Sequence, residues 1–155
     1  MQKITLLCVG RLREPWAREA AEMYVQRLRP QLSFTVLELP ESRGKTPSQQ
    51  QAEESERILK ILERSEGDVW VLDETGKSRT SVQFASAIGT ARDAGTPLIF
   101  ILGGAYGFTD AVRRKAGYLL KLSDMTLPHE LCRVLFLEQL YRGVEILKGS
   151  GYHHV

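Results

Sequence analysis

Residues 122–143 of the chain read LSDMTLPHELCRVLFLEQLYRG, and the second half of this stretch predicts a helix that is buried on several sides. The apolar residues between Leu131 and Tyr141 are not confined to one face, because Val-Leu-Phe-Leu stand consecutively at 134–137. A surface helix normally carries a single apolar stripe, so a helix that is apolar nearly all round needs cover from several sides. One domain of this length can cover only part of that helix. We therefore expect the remainder to contact a second copy of the chain.

Length and composition indicate one soluble globular domain. The chain has 155 residues, of which 43% are hydrophobic and 26% charged, and these values suit a single domain over residues 1–155 with a normal core. No apolar run approaches the ~20 residues that span a bilayer. The segment Met1–Val9 lacks the long apolar region of a signal peptide. We expect a cytoplasmic protein without membrane contact.

Strand-like and helix-like segments alternate along the whole chain. The fourth strand-like segment is apolar on both faces, which is typical of strands in the middle of a parallel sheet. The alternation predicts an α/β fold with a mainly parallel sheet flanked by helices. Strands are predicted at Lys3–Val9, Ser33–Leu39, Asp68–Asp73, Pro97–Leu102 and Tyr118–Leu122, and helices at about 15–30, 46–64, 80–94, 109–117 and from Pro128 onward.

Local signals add detail to three connections. Thr46 with Gln49 and Thr80 with Gln83 have the spacing of capping boxes, and Thr109 is a third candidate N-cap. The polar first half of the second helix, residues 49–57, is expected to be solvated. Residues 74–77 (Glu-Thr-Gly-Lys) are predicted to form a turn.

The candidate ligand loops follow the predicted strands. In open parallel sheets, ligands bind beyond the carboxyl ends of the strands, here the loops at 10–13, 73–77, 103–108 and 123–129. Glycines in these loops would let a ligand approach the backbone. A Walker P-loop ending at Gly76-Lys77 is excluded, because its first glycine would have to stand where Val71 is. The Gly103–Gly107 loop lacks the full G-x-G-x-x-G pattern, so it is either a backbone-lined ligand site or a structural turn only.

Few side chains suggest acid–base, nucleophilic or metal chemistry. His129 stands at the start of the buried helix, where a neutral imidazole could act as a base or a hydrogen-bond donor, or only as a cap. Cys8 and Cys132 are expected to be small buried hydrophobes, with Cys132 as a nucleophile the minor alternative. His153 and His154 lack an evident third ligand, so no metal site is expected.

The net charge of +2 is too small to indicate nucleic-acid binding by itself. A local basic patch can nevertheless bind a polyanion. Basic residues cluster at Arg11/Arg13, Arg27/Arg29, Arg43/Lys45 and 113–115. Each cluster is either a solvated face or part of such a surface.

Several motifs occur in order along the chain: Leu72-Asp73-x-x-Gly76-Lys77, Ile101-Leu102-Gly103-Gly104-x-x-Gly107, Leu122-Ser123-x-x-Thr126-Leu127-Pro128-His129, Arg133, Leu140-Tyr141-Arg142 and Tyr152-His153. Together they resemble the ribosomal RNA large subunit methyltransferase H family, which are small SPOUT-class enzymes. The resemblance covers essentially the whole chain. It implies a C-terminal trefoil knot, a homodimer packed through its C-terminal helices, and transfer of a methyl group from S-adenosylmethionine. The implied acceptor is N3 of a pseudouridine in 23S rRNA, within the ribosome or its large subunit.

The resemblance also implies roles for individual residues. The catalytic candidates are His129, Arg142, Tyr152 and His153. The tail departs from the family pattern of Pro-Tyr-His followed by Arg or Lys, since it reads Gly151-Tyr152-His153-His154. The implied cofactor-binding residues are Leu72, Gly103, Gly104, Leu122, Ser123, Asp124, Met125, Thr126, Leu127 and Pro128.

Two other functions fit the residues without the resemblance. One is a nonenzymatic α/β module that binds a nucleotide or RNA and has a regulatory role. The other is a different doubly wound enzyme that uses the Gly103–Gly107 loop for a nucleotide phosphate.

Overall fold

Five parallel strands form a single sheet in the computed structural model, which describes residues 1–154. The strand order across the sheet is β2-β1-β4-β3-β5, and every neighbouring pair is parallel. The α/β class with a parallel sheet is thereby confirmed. The strands are β1 (Lys3–Val9), β2 (Ser33–Leu39), β3 (Asp68–Ser78), β4 (Leu98–Leu102) and β5 (Tyr118–Lys121).

Helices cover both faces of the sheet. Three of them, α1, α3 and α5, contribute to one apolar cluster, while α2 and α4 contribute to a second cluster on the other face. The helices are α1 (Pro15–Leu28), α2 (Pro47–Leu62), α3 (Ser81–Asp93), α4 (Asp110–Lys115) and α5 (His129–Lys148). Among residues 1–154, no helix is both long and apolar enough to cross a membrane.

Side-chain alternation explains how one sheet supports two cores. Successive residues of a strand point to opposite faces, so Leu6 and Cys8 pack under α1 and α5, whereas Leu7 and Val9 face α2. All five residues of β4 are buried, as its central position requires. Burial raises the pKa of the Cys8 thiol to about 12, which makes this cysteine an inert core residue as expected.

The predicted turn at 74–77 is wrong, because β3 continues to Ser78. Leu72 and Lys77 both pair with Leu120 of β5, so residues 73–76 bulge out of the strand between them. A Cβ on Gly76 would lie 2.6 Å from the carbonyl carbon of Leu119. Glycine therefore stands here for close backbone approach between strands, a requirement that produces the same residue choice as a turn.

The helix starts follow the sequence signals only in part. Thr80 and Gln83 form a complete capping box at α3, as predicted. At α2, Thr46 Oγ1 accepts from the Gln49 amide at 3.1 Å, but the Gln49 side chain accepts from Lys45 instead of completing the box. Thr109 makes no side-chain capping bond at α4, contrary to prediction.

The first half of α2 is not fully solvated, which corrects a second prediction. Glu54 is 5% exposed and Ser55 is 1% exposed. Both residues accept hydrogen bonds from backbone amides outside α2, so they are buried although they are polar. The polar character of this segment was therefore an insufficient reason to predict that it is solvated. Both residues support the loop after β4.

Helix α5 lies between α1 and α3, and it is the central element of its layer. Phe136, Leu137 and Leu140 are almost completely buried, so the prediction of a deeply buried helix is confirmed. Leu135, on another face, remains 36% exposed. The four consecutive apolar residues at 134–137 therefore divide between the core and the surface of the chain.

Candidate active site

A cavity of about 600 Å³ lies at the carboxyl ends of β3, β4 and β5. Its volume is in the range of small-molecule sites in proteins. Nine of the ten residues expected to bind the cofactor line it: Leu72, Gly103, Gly104, Leu122, Ser123, Met125, Thr126, Leu127 and Pro128. The tenth, Asp124, is exposed and pairs with Lys121 instead. Three loops that are distant in sequence therefore meet at one place.

The order of the strands brings these loops together. β3 pairs with β4 on one side and β5 on the other, so all three parallel strands end at the same edge. The chain leaves β5 at the edge of the sheet and returns across these strand ends as residues 122–128 before α5 begins. Within this loop, Ser123 Oγ accepts a hydrogen bond from the Met125 amide at 2.9 Å.

The glycines of the β4 loop are required by their protein neighbours. A Cβ on Gly103 would lie 2.9 Å from the ring of Phe108, and a Cβ on Gly104 would lie 2.7 Å from Glu54 Oε1. Both distances are shorter than real Cβ contacts allow. The expectation that these glycines open the backbone to a ligand is therefore incomplete, because the space beside them is already filled by the fold.

Helix α2 supports this loop through residues that sequence reasoning missed. Gln51 Nε2 donates to the Tyr106 carbonyl at 2.9 Å, and Ser55 Oγ accepts from the Thr109 amide at 3.0 Å. Glu54 accepts from the Ser42 amide at 2.9 Å and lies against Gly104. The available signal was the spacing of Gln51, Glu54, Ser55 and Ile58, which share one face of the helix.

An ion pair between Asp73 and Arg113 closes one side of the cavity. Arg113 Nε and Nη2 each donate to the Asp73 carboxylate at 3.2 Å, and the Asp73 side chain is only 6% exposed. Burial by itself would raise the pKa of Asp73. The hydrogen bonds from Arg113 and Thr75 outweigh burial and lower that pKa below its ordinary value. Sequence reasoning placed Asp73 in a candidate ligand loop and Arg113 in a basic cluster but did not pair them, since only the fold brings α4 beside the β3 bulge.

We expect Asp73→Asn to destabilise the protein at neutral pH and to reduce its sensitivity to acid. The folded-state pKa of Asp73 lies below the unfolded value, so its stabilisation is present above the unfolded pKa and is lost as the pH falls through the folded pKa. Urea unfolding between pH 3 and pH 7 measures both effects. A variant whose stability falls with acid as steeply as the wild type would contradict the assignment, and Asp93→Asn, at an exposed pair, is the matched control.

His129 is the first residue of α5 and lines the cavity. Its side chain is exposed, so it is accessible to a ligand that enters the cavity from solvent. Cys132 follows one turn later and also lines the cavity. Burial raises the pKa of the Cys132 thiol, which disfavours the thiolate and with it the alternative of a nucleophilic cysteine.

The other three predicted catalytic residues form a separate cluster around Glu138. Arg142 donates to Glu138 Oε1 from Nε at 2.9 Å and from Nη2 at 2.6 Å, and Tyr152 donates to the same oxygen at 3.2 Å. His153 Nδ1 lies 3.1 Å from Arg142 Nη1. Burial first, and then the Glu138 charge, raise the pKa of Tyr152 to about 12, so its phenol stays protonated at neutral pH.

His129 and this cluster do not share a pocket within one chain. Arg142 follows His129 by 13 residues on α5, a rise of about 20 Å along a helix. The spacing of the two residues in the sequence is enough to give this separation, but sequence reasoning missed Glu138, which holds the cluster together. His154 is exposed beyond it.

Two side chains of α5 tie the start of this helix to the loop after β1. Glu130 Oε1 accepts from the backbone amides of Arg13 at 2.7 Å and Glu14 at 3.1 Å. Arg133, only 5% exposed, donates to the Gly10 carbonyl at 2.7 Å and to Glu38 at 2.6 Å. The segment 10–14 is therefore held in a defined position relative to His129.

Within residues 1–154, no group of three or more His, Cys, Asp or Glu side chains is placed to hold a metal ion. The cavity is instead lined by apolar side chains, loop backbone and the Asp73–Arg113 pair. This lining suits an organic ligand that carries both apolar and charged groups.

Comparison with known proteins gives consistent matches over the full length. Residues 2–153 match the family model described as "Predicted SPOUT methyltransferase". Proteins named ribosomal RNA large subunit methyltransferase H from a Geobacter species and from Citrifermentans bemidjiense are 42% and 41% identical to the chain over 153 residues, covering 98% of it and 99% of each relative. A probable methylase family protein from Haemophilus influenzae has a similar fold, with a TM-score of 0.58 at 13% identity over 99% of this chain and 71% of its own.

Proposed function

The chain belongs to the SPOUT methyltransferase family and, within it, to the ribosomal RNA large subunit methyltransferase H proteins, and from this premise we propose that it methylates N3 of a pseudouridine in 23S rRNA. It is an enzyme that uses S-adenosylmethionine. The observation that carries the proposal is the convergence of the loops after β3, β4 and β5 on one cavity. The substrate is the rRNA within the ribosome or its large subunit.

The cavity residues fit the cofactor. Leu72, Leu122 and Leu127 would provide apolar walls for the cofactor, and the loops at 103–107 and 122–128 would offer backbone groups to its polar atoms. S-Adenosylmethionine supplies the methyl group on a positively charged sulfur. The remaining work of the protein is to align the acceptor nitrogen, exclude water and handle the proton on N3.

N3 carries a proton at neutral pH and is a poor nucleophile until that proton leaves or the developing anion is stabilised. Of the four catalytic candidates, His129 is the one that lines the cavity. We therefore propose that its imidazole accepts the proton that leaves N3. Arg142 stabilises the negative charge that develops on the base as the proton departs. Tyr152, held neutral, and His153 position the Arg142 guanidinium.

These roles require a homodimer, because His129 and Arg142 are too far apart in one chain. We propose that each active site combines His129 of one subunit with Arg142, Tyr152 and His153 of the other. Leu135, an exposed leucine on α5, supports this arrangement. The resemblance to the methyltransferase H family also implies a C-terminal trefoil knot. The return of residues 122–128 across the strand ends is compatible with such a knot.

The direct test incubates the protein with radiolabelled S-adenosylmethionine and ribosomes from a strain that lacks the modification. We expect label in 23S rRNA, located by nucleoside mass spectrometry as N3-methylpseudouridine. Binding of cofactor and ribosomes without transfer of label would overturn the enzyme assignment and support a regulatory RNA-binding module. Competition by inorganic phosphate at the cavity would support a nucleotide-phosphate enzyme instead.

We expect Leu135→Glu to convert the dimer into a folded monomer with little activity. The side chain is 36% exposed in one chain, so the fold tolerates a charge there, whereas a dimer seam would bury that charge unpaired. Sedimentation velocity measures the oligomeric state. Leu37→Glu, at a similarly exposed leucine on β2, is the control, and an active dimeric Leu135→Glu protein would refute the seam.

A further inference from the structure

A groove rich in arginine runs along the carboxyl ends of β1 and β2 and the side of α1. It consists of two adjoining cavities, of about 730 and 440 Å³, which share Arg11, Leu12, Arg18 and Glu38. We call it the arginine groove and define it by Arg11, Arg18, Arg29 and Arg43, which line it. The groove is separate from the cofactor cavity but lies at the same edge of the sheet.

Positive charge is concentrated in this groove. Six arginines and three glutamates line the two cavities, a surplus of three positive charges, whereas the whole chain carries only +2. Two of the glutamates are already paired: Glu41 with Arg13 at 3.1 Å, and Glu38 with Arg133 at 2.6 Å. Among residues 1–154, the four defining arginines form no ion pair with a carboxylate.

Hydrogen bonds join the groove to the start of α5. Glu130, adjacent to His129, binds the backbone amides of Arg13 and Glu14, and Arg133 one turn later binds the Gly10 carbonyl. Both anchors act on the segment that carries Arg11. A ligand held in the groove is therefore placed at a fixed offset from His129 and the cofactor cavity.

We propose that the arginine groove binds backbone phosphates of the rRNA strand whose target base enters the cavity, an inference that rests on the proposed function. Guanidinium groups form paired, charge-assisted hydrogen bonds with phosphate oxygens, and all four defining cations are arginines. An RNA strand passing through the groove presents a row of phosphates to this row of cations. Phosphate contacts set the register of the strand, and the cavity then receives one base.

The test compares two triple variants with equal loss of charge. The groove variant carries Arg11→Gln, Arg18→Gln and Arg43→Gln. The control variant carries Lys3→Gln, Arg64→Gln and Arg92→Gln, at exposed positions near the amino ends of the strands, away from the groove. Binding of ribosomes that lack the modification is measured between 50 and 300 mM KCl, together with cofactor affinity and methyl transfer.

For the groove variant we expect the slope of log K against log salt to become shallower by about 2, since each phosphate contact to a single strand contributes ~0.7. At 0.1 M salt this corresponds to about 100-fold weaker binding of ribosomes. Cofactor affinity should stay unchanged, and KM for ribosomes should rise more than kcat falls. The control variant should keep the wild-type slope.

An unchanged slope in the groove variant, or an equal change in the control, would overturn the groove proposal. The Arg→Lys version of the groove variant separates charge from folding, because it should keep the wild-type slope. If the groove variant does not fold, Arg18→Gln alone, at an exposed helical position, must reduce the slope by about 0.7. Wild-type protein that binds ribosomes without methylating them would refute the proposed function, while the slopes would still decide the groove.

Discussion

We expect Gly104→Val to abolish measurable binding of S-adenosylmethionine and Gly104→Ala to weaken it by about 5- to 150-fold. A Cβ at this position would meet Glu54 Oε1 at 2.7 Å and Val9 Cγ1 at 3.4 Å, and both neighbours belong to the packed layer beneath the loop. Overpacking of this kind costs about 1–3 kcal/mol when the loop shifts to relieve it. This free energy corresponds to the loss of about 5- to 150-fold in affinity expected for Gly104→Ala. Isothermal titration with the cofactor measures the change.

Gly117→Ala is the matched control, because a Cβ there has the Val69 carbonyl oxygen as its nearest neighbour at an ordinary 3.8 Å. This variant should bind the cofactor as the wild type does. A second variant tests the cause: Glu54→Ala in the Gly104→Ala background removes the closest obstacle and should recover part of the affinity. Wild-type affinity in Gly104→Val would show that the β4 loop does not contact the cofactor.

His129→Ala and Arg142→Ala are each expected to lower kcat by about 100- to 10,000-fold, the usual contribution of a positioned acid–base or charge-stabilising group. Mixing the two inactive proteins should restore activity if the site is shared between subunits. In a mixed dimer, one site combines intact His129 with intact Arg142, and the other site carries both substitutions. After random exchange of subunits, about a quarter of the wild-type rate should return, because half of the dimers are mixed and each has one intact site.

The mixing experiment has a clear control. Two variants on the same side of the proposed site, Arg142→Ala and Tyr152→Phe, should not complement each other, because no mixed dimer of that pair contains an unmodified site. Failure of His129→Ala and Arg142→Ala to complement, with subunit exchange confirmed by mass spectrometry, would place both residues in sites made by one chain or remove one of them from catalysis.

The regular elements follow closely from the sequence because their signals are local. The five buried residues of β4 and the capping box at Thr80 were predictable, since strand burial and helix capping depend on neighbours within a few positions. The errors occur where one local signal serves two purposes. Gly76 has the residue type of a turn, yet its missing Cβ makes room for the backbone of β5.

The loops that line the cavity were predictable from the sequence, but the residues that support them were not. Leu72, Gly103 and the residues 122–128 carry motifs that can be read one at a time, and the rule that ligands bind at strand ends places them together. Glu54, Arg113 and Glu138 carry no such signal. Glu54 and Arg113 act through partners that are distant in sequence, and Glu138 binds Arg142 on its own helix together with Tyr152 of the tail. Charged residues on helices are ordinarily solvated, so sequence reasoning gave them no role in the site.

The sequence by itself determined the parallel α/β fold, the family and the loops that line the cavity, because periodicity, capping and short motifs are properties of neighbouring residues. Only the tertiary structure decided the pairing of Asp73 with Arg113, the burial of Glu54 beneath Gly104 and the gathering of Arg142, Tyr152 and His153 around Glu138. These features depend on the strand order, in which β3 is inserted between β4 and β5. Strand order is set by the joint packing of all the helices on both faces of the sheet, a balance that no short stretch of sequence contains.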